Sequence, residues 1–108
     1  GSASNQVIKG QKEALAIKLD VFFENKSDPN FMKIDVEGAE LEVLKGAESV
    51  IGRSHPTLIV EIHKGGKLED LGGTKEELKK FLNKKDYGLK ILQKRKSREI
   101  ILAEYNEV

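Results

Sequence analysis

The sequence contains no cysteine and no tryptophan, and only two prolines among its 108 residues. Without cysteine the chain has no disulfide, no thiolate nucleophile and no cysteine-bound zinc site. This absence fits a reducing compartment, and we expect a cytoplasmic protein. No apolar run approaches the ~20 residues that span a bilayer, and the N-terminal residues show no signal-peptide core, so we expect no membrane partner.

A large excess of one charge is also lacking, since 19 Lys and Arg residues face 18 Asp and Glu residues. The net charge of +1 provides no global field toward nucleic acid or a membrane surface. Local basic stretches occur in the segment 94–98 and in the lysine-rich segment 75–85. Segment 94–98 has no interleaved aromatic residue for base stacking, and nucleic acid is therefore not expected as a partner.

Length and composition predict one globular domain over residues 1–108. Hydrophobic residues make up 38% and charged residues 34%, which is ordinary for a folded chain. Residues 1–12 are polar and expected to be flexible, with Gly1 and Ser2 a possible cloning remnant. The folded part is expected to span residues 13–108.

The first part of the chain predicts a strand, a turn, a second strand and a helix. Residues 14–19 alternate as in a strand, and Asp20 is a candidate N-cap for one helical turn. Residues 31–36 form an apolar run that leads into a helical pattern, and this pattern places four apolar residues on one face: Leu41, Leu44, Ala47 and Ile51. Gly52 is expected to end this helix, and Gly46 to allow close approach to the sheet.

The second part predicts a buried strand, another helix and a hairpin. Residues 57–62 are typical of a strand buried on both faces, and strand, helix, strand with short links implies a parallel pair. Thr74 and Glu77 form a capping box at the start of the second helix. Residues 89–92 and 100–103 flank a charged turn and predict an antiparallel hairpin. The expected fold class is α/β, a mixed sheet in the order β-α-β-α-β-β.

Four ionisable residues follow the two strands of the predicted parallel pair. Asp35 and Glu37 leave the first strand, and Glu61 and His63 leave the second, so all four are expected at one rim of the sheet. Simpler interpretations remain open: Asp35 and Glu37 serve the start of the following helix, and His63 is a hydrogen-bonded surface residue. Glu61, in an apolar strand, needs a partner or an exposed edge.

The segment 33–40, Lys-Ile-Asp-Val-Glu-Gly-Ala-Glu, resembles a segment of the FkbM-type S-adenosylmethionine-dependent methyltransferase domain. The segments 19–23, 56–63 and 100–103 extend the resemblance over most of residues 15–105. The chain looks like the C-terminal half of that domain, which implies a partial Rossmann-like, class I methyltransferase sheet. By this resemblance Asp35 and Glu37 are acceptor-side or metal-coordinating residues, and His63 is an accessory base.

The resemblance also implies what the chain lacks. The family's first half carries the glycine-rich loop for S-adenosylmethionine, whereas the glycine pairs at 65–66 and 72–73 have no G-x-G spacing. We therefore expect the full-length parent to methylate an oxygen of a small molecule or sugar, and the isolated chain to be inactive with no cofactor bound. A divalent metal is possible. The alternative is a noncatalytic interaction domain, or a split half that pairs with another chain or with itself through an edge strand.

Overall fold

A computed structural model describes residues 6–8, 14–36, 38–63 and 74–107, and the structural statements below concern these residues. Short helices separate most of the strands. In chain order the elements are β1 (Gln6–Ile8), β2 (Ala14–Ala16), α1 (Leu19–Phe22), β3 (Phe31–Ile34), α2 (Glu40–Lys45), α3 (Glu48–Ser54), β4 (Thr57–His63), α4 (Lys75–Lys84), β5 (Tyr87–Lys94) and β6 (Arg98–Tyr105). No helix in this part of the chain has both the length and the apolar character needed to cross a membrane.

The main sheet has four strands in the order β3-β4-β6-β5. β3 and β4 run parallel, whereas β6 is antiparallel to both β4 and β5. The α/β fold class, the parallel pair and the C-terminal hairpin predicted from the sequence are thus confirmed. The mixed sheet is compatible with a partial Rossmann-like methyltransferase fold.

The core lies between β4, β6 and the faces of α2, α3 and α4. The predicted helical stripe is buried, with Leu44, Ala47 and Ile51 at 0% exposure. In β4, Leu58, Val60 and Ile62 are buried, but Ile59 is only partly buried. The prediction of a strand buried on both faces is therefore wrong for part of the second face.

The single helix expected up to Gly52 is two helices, because the chain turns at Gly46 and Ala47. Asp20 holds this turn: its N–H donates to the Gly46 carbonyl at 2.8 Å, and its carboxylate accepts from the N–H groups of Ser49 and Val50 at 3.0 and 2.9 Å. Asp20 therefore caps the start of α3, and the prediction that it caps α1 is wrong. The carboxylate also lies at the positive end of the α3 dipole, which favours its charge.

The end of α3 and the surroundings of Gly46 also differ from the sequence prediction. α3 continues through Gly52 and ends at His55, whose φ of 48° is left-handed. A Cβ added at Gly46 would lie 3.5 Å from Lys18 carbons, so the neighbour is the segment before α1 and not the sheet.

The N-terminal part forms a separate element. β1 and β2 pair as a two-stranded antiparallel sheet, and the flexibility expected for residues 6–8 stays a prediction. β2 ends at Ala16, earlier than predicted. β3 ends at Ile34, and Val36 is 40% exposed beyond it. The expected flexibility of residues 1–5 and 9–12 falls outside the described residues.

Candidate functional site

The parallel register of β3 and β4 brings three of the four predicted rim residues together. Ile34 is the register partner of Val60, so Asp35, the residue after Ile34, lies beside the last residues of β4. Ligand atoms of Asp35, Glu61 and His63 lie within 4.8 Å of one another. The predicted convergence of these three residues at one rim is confirmed. Glu37 lies outside the described residues, and its role stays a prediction.

Glu40, at the start of α2, links both strands of this rim. Its side chain is 0% exposed. One oxygen, Oε2, accepts from the Gly38 N–H at 2.5 Å, and Oε1 accepts from the His63 backbone N–H at 2.9 Å. Gly38 has a φ of 102°, a conformation that favours glycine and allows its N–H to reach the carboxylate.

Glu40 is a site residue that was not predicted from the sequence, although one signal was present. Glu40 precedes Leu44 by four residues and so falls on the buried stripe of the helix. An acid on a buried stripe needs hydrogen-bond donors to offset its desolvation. Its partner His63 lies 23 residues away, a distance that local patterns do not bridge.

The contact with Glu40 also selects the tautomer of His63. Nδ1 of His63 lies 3.2 Å from Glu40 Oε1, and both Glu40 oxygens already accept backbone N–H groups, so we assign the hydrogen of this contact to Nδ1. In a neutral imidazole Nε2 then holds the lone pair. Nε2 lies 3.6 Å from Asp35 Oδ1, beyond hydrogen-bond distance, and the His63 side chain is 12% exposed. Nε2 of His63 is thus a hydrogen-bond acceptor close to solvent, and the contact between Nδ1 and Glu40 orients the ring.

Glu61 has the partner that its buried position requires. Its side chain is 7% exposed, and Oε1 lies 2.9 Å from the Arg98 guanidinium. Arg98 begins β6 directly beside His63 in the sheet register. From the sequence Arg98 was predicted only as part of a charged turn, because neither strand alone indicates that β6 pairs with β4.

The simpler interpretation of Asp35 as a helix cap finds no support among the described residues. α2 has no side-chain hydrogen bond at its N-cap, and the amide of Gly38 is occupied by Glu40. Asp35 instead faces His63 and is 46% exposed. It is therefore available to a molecule that approaches the rim from solvent.

The three clustered residues offer oxygen and nitrogen donors of the kinds that bind Mg²⁺, Mn²⁺ or Zn²⁺. The β3–α2 connection holds one glycine, Gly38, and its N–H is already bonded to Glu40. The glycine pairs at 65–66 and 72–73 lie outside the described part of the chain.

An imidazole, the buried Glu40 carboxylate and two further carboxylates thus lie together at the C-terminal ends of the parallel strands β3 and β4. The family model of the methyltransferase FkbM domain matches residues 2–89. The match begins before and ends earlier than the resemblance over residues 15–105, and which half of the domain it represents stays a prediction. Comparison with curated proteins and with solved structures gives no significant match. Because the family match covers most of the chain, the protein belongs to the FkbM methyltransferase domain family.

Proposed function

We propose that the chain forms the acceptor side of an S-adenosylmethionine-dependent O-methyltransferase, with His63 as the base for the acceptor hydroxyl. The observation that carries this proposal is the contact between His63 Nδ1 and the buried Glu40 carboxylate at 3.2 Å. It leaves Nε2 as a proton acceptor at the rim. Family membership supports a methyltransferase as the reaction class.

The chemistry of these residues concerns the proton of the acceptor. A neutral hydroxyl becomes a better nucleophile when a base within hydrogen-bond reach takes its proton as the new bond forms. The proton moves to Nε2 of His63, and the resulting imidazolium is stabilised by Glu40 on one side and Asp35 on the other. A base oriented by a carboxylate is the arrangement that activates hydroxyl groups in several unrelated enzymes.

Asp35 has a second role in this proposal, which is to orient the acceptor. Its half-exposed carboxylate can accept a hydrogen bond from a hydroxyl adjacent to the reacting one. A sugar or another small molecule with neighbouring hydroxyl groups fits this pair of acceptors. We further propose that residues other than these hold S-adenosylmethionine, and we expect the isolated chain to be inactive and to bind it weakly or not at all.

The test is methyl transfer by the complete natural protein that contains these residues. His63→Gln removes the base, and kcat should fall by about 100-fold to 10,000-fold. His55→Gln, at the other end of β4, is the matched control and should retain activity within about twofold. Equal activity of His63→Gln and the parent protein would overturn the proposal.

Binding of a divalent cation is a second role for the same cluster. A metal-binding histidine commonly donates its other ring N–H to a carboxylate, as His63 does to Glu40. The competing observation is Arg98, which already compensates Glu61 at 2.9 Å. Titration of the chain with Mg²⁺, Mn²⁺ and Zn²⁺, followed by NMR of the His63 ring, separates the roles. Saturable shifts lost in Asp35→Asn support a metal, and unchanged spectra exclude this role under the conditions tested.

The second candidate function is a noncatalytic interaction domain that completes its sheet with another chain. β3 is an edge of the main sheet, and among the described residues its outer side pairs with no strand. Phe31 on this strand is 51% exposed. Light scattering after size-exclusion chromatography should then show a dimer that Phe31→Lys dissociates. A monomer at all concentrations contradicts self-pairing.

The compartment that we propose, the cytosol, rests on composition alone. The absence of cysteine supports the cytosol, where disulfides are rare. Fractionation of the tagged natural protein is the direct measurement, and recovery outside the cytosolic fraction would contradict this part of the proposal.

A further inference from the structure

The outer strand of the C-terminal hairpin exposes two adjacent aliphatic side chains. In the described part of the chain β5 is an edge of the main sheet, and Ile91 and Leu92 are each 48% exposed. Ile91 lies opposite Ile101 of β6, which is 0% exposed, so the buried core ends between these two strands. Transfer of the exposed aliphatic surface from water to an apolar environment would be favourable. The pair is therefore a candidate contact surface.

Cations surround this aliphatic pair. Segment 90–98 contains five Lys and Arg residues and no Asp or Glu, and every residue in it is exposed. Within the described part of the chain, Lys90, Lys94 and Lys96 form no ion pair. Their charge is therefore available to an anionic partner, although the net charge of the whole chain is only +1.

The acid that lies opposite Lys94 in the sheet, Glu99, does not cancel this surface charge. The Glu99 side chain is 0% exposed. Its oxygens lie 2.6 Å from the Lys75 ammonium and 3.7 Å from the Lys79 ammonium, both on α4. These two cations already compensate Glu99 from the helix side, so the exposed hairpin keeps its positive charge.

The combination of aliphatic and cationic side chains favours one kind of partner. The strand register shifts between Ile91 and Gln93, and such a bulge makes an edge a poor template for a further strand. Nucleic acid would attract the cations, but segment 90–98 holds no aromatic residue for base stacking. An anionic phospholipid surface matches both groups, because its headgroups attract lysines and its acyl boundary accepts aliphatic side chains.

We propose that residues 90–97 dock the protein on an anionic phospholipid membrane, with Ile91 and Leu92 at the acyl boundary and the lysines at the headgroups. The expectation of no membrane partner rests on the lack of a spanning segment, which a peripheral contact does not need. Anionic lipids are concentrated in the cytoplasmic leaflet, which a cytosolic protein can reach. The contact is independent of methyl transfer and of the role of His63.

The test is co-sedimentation of the chain with vesicles of phosphatidylcholine and phosphatidylserine in equal parts. Binding should be saturable, should weaken as salt is raised, and should be absent with vesicles of phosphatidylcholine alone. Ile91→Gln/Leu92→Gln and Lys94→Gln/Lys96→Gln should each weaken it at least about tenfold. Because all four side chains are exposed, both variants should fold.

Two control variants remove the same kinds of side chain elsewhere. Phe31→Gln changes a half-exposed apolar residue on the opposite edge of the sheet, and Lys80→Gln/Lys84→Gln removes two exposed charges from α4. Each should change vesicle binding less than about twofold, since charges far from the contact are screened. Equal weakening in the test and control variants, or no binding to the mixed vesicles, overturns the proposal.

A soluble form of the headgroup, glycerophosphoserine, distinguishes a membrane surface from a free phosphate ester. It has no acyl chains, so it should not shift the amide signals of residues 90–97 or displace the chain from vesicles. Spin-labelled lipid in the vesicles should broaden those amide signals before the signals of β3. Saturable binding of glycerophosphoserine, tighter binding of an RNA oligonucleotide than of vesicles, or broadening that begins at β3 would each contradict the proposal.

Discussion

The two ends of β4 carry the two histidines of the chain, in different environments. At the C-terminal end His63 is largely buried, bonded to Glu40 and close to Asp35. At the N-terminal end His55 is exposed, and its ring stacks on Tyr105 with centroids 3.6 Å apart and planes 7° apart. Nearby, the Tyr87 hydroxyl donates to the Pro56 carbonyl at 2.6 Å. The C-terminal end of β4 is therefore dominated by buried charged groups, and the N-terminal end by aromatic packing and a neutral hydrogen bond.

This difference separates stability from function. Buried carboxylates cost free energy that hydrophobic residues in the same positions would not. The C-terminal end holds three of them, Glu40, Glu61 and Glu99, each compensated by a separate set of donors. Such an arrangement is expected where chemistry requires it. Among the described residues, the N-terminal end of β4 has no comparable cluster of buried carboxylates. It therefore covers the core with little desolvation cost.

The largest effect is expected from Glu40→Ala. The substitution leaves the N–H groups of Gly38 and His63 without their acceptor and opens a cavity, so the free energy of unfolding should fall by about 3 kcal/mol. Glu42→Ala, an exposed position on the same helix, is the control and should change it by less than about 0.5 kcal/mol. Urea denaturation measures both. Similar losses would contradict the compensating role of Glu40.

The next effect concerns Arg98. Arg98→Ala leaves the Glu61 carboxylate buried without its guanidinium, and the free energy of unfolding should fall by about 2 kcal/mol, less than for a fully buried pair because Arg98 is 44% exposed. Adding Glu61→Gln removes the uncompensated charge and should recover part of the loss. A double-mutant cycle by urea denaturation gives the coupling directly. Additive changes in the free energy of unfolding would show that Arg98 does not compensate the charge of Glu61.

A smaller effect is expected at the opposite end, from Tyr87→Phe. Loss of the bond to Pro56 should cost about 1 kcal/mol. Burial, with a smaller contribution from the charge of Tyr105, raises the pKa of Tyr87 from its ordinary value of 10.0 to about 12. A raised pKa in the folded state means that this stabilisation is complete below pH 10 and is lost as pH rises through 12.

The pH dependence provides the control for Tyr87. Thermal or urea unfolding between pH 10 and 12 should show a steeper loss of stability in the parent chain than in Tyr87→Phe. Parallel curves would mean that another group causes the alkaline loss.

The smallest effect is expected from His55→Gly. Glycine adopts the left-handed conformation at φ 48° without strain, but the substitution removes the ring stacked on Tyr105. The two contributions oppose each other, so the free energy of unfolding should change by less than about 0.5 kcal/mol. His55→Ala loses the stacking and keeps the strain, and it should be less stable by about 1 kcal/mol. Equal stability of the two variants would contradict this account of the α3 end.

The parallel pair and its rim could be predicted because they follow from local order. A strand, a helical pattern and a second strand with short links imply side-by-side parallel strands, and residues that follow both strands must meet. Asp35 and His63 were found in this way. Both depend only on where each strand ends.

The helix break and the role of Glu40 could not be predicted, because each depends on a distant residue. Asp20 caps α3 from 29 and 30 positions away, so the pattern over residues 40–52 reads as one continuous helix. Glu40 acts through His63, and in isolation its position at a helix start is explained by the helix dipole alone. Contacts between residues so far apart in the sequence arise from tertiary packing, and hydrophobic periodicity does not indicate them.

The proposed chemistry depends on Glu40 holding the Nδ1–H tautomer of His63 and leaving Nε2 free to accept a proton. Nitrogen-15 NMR of the histidine rings in the isolated chain, at a pH where they are neutral, tests it most directly. We expect a protonated Nδ1 and an unprotonated Nε2 for His63, and a mixture of tautomers after Glu40→Ala. A protonated Nε2 in the parent chain would contradict it.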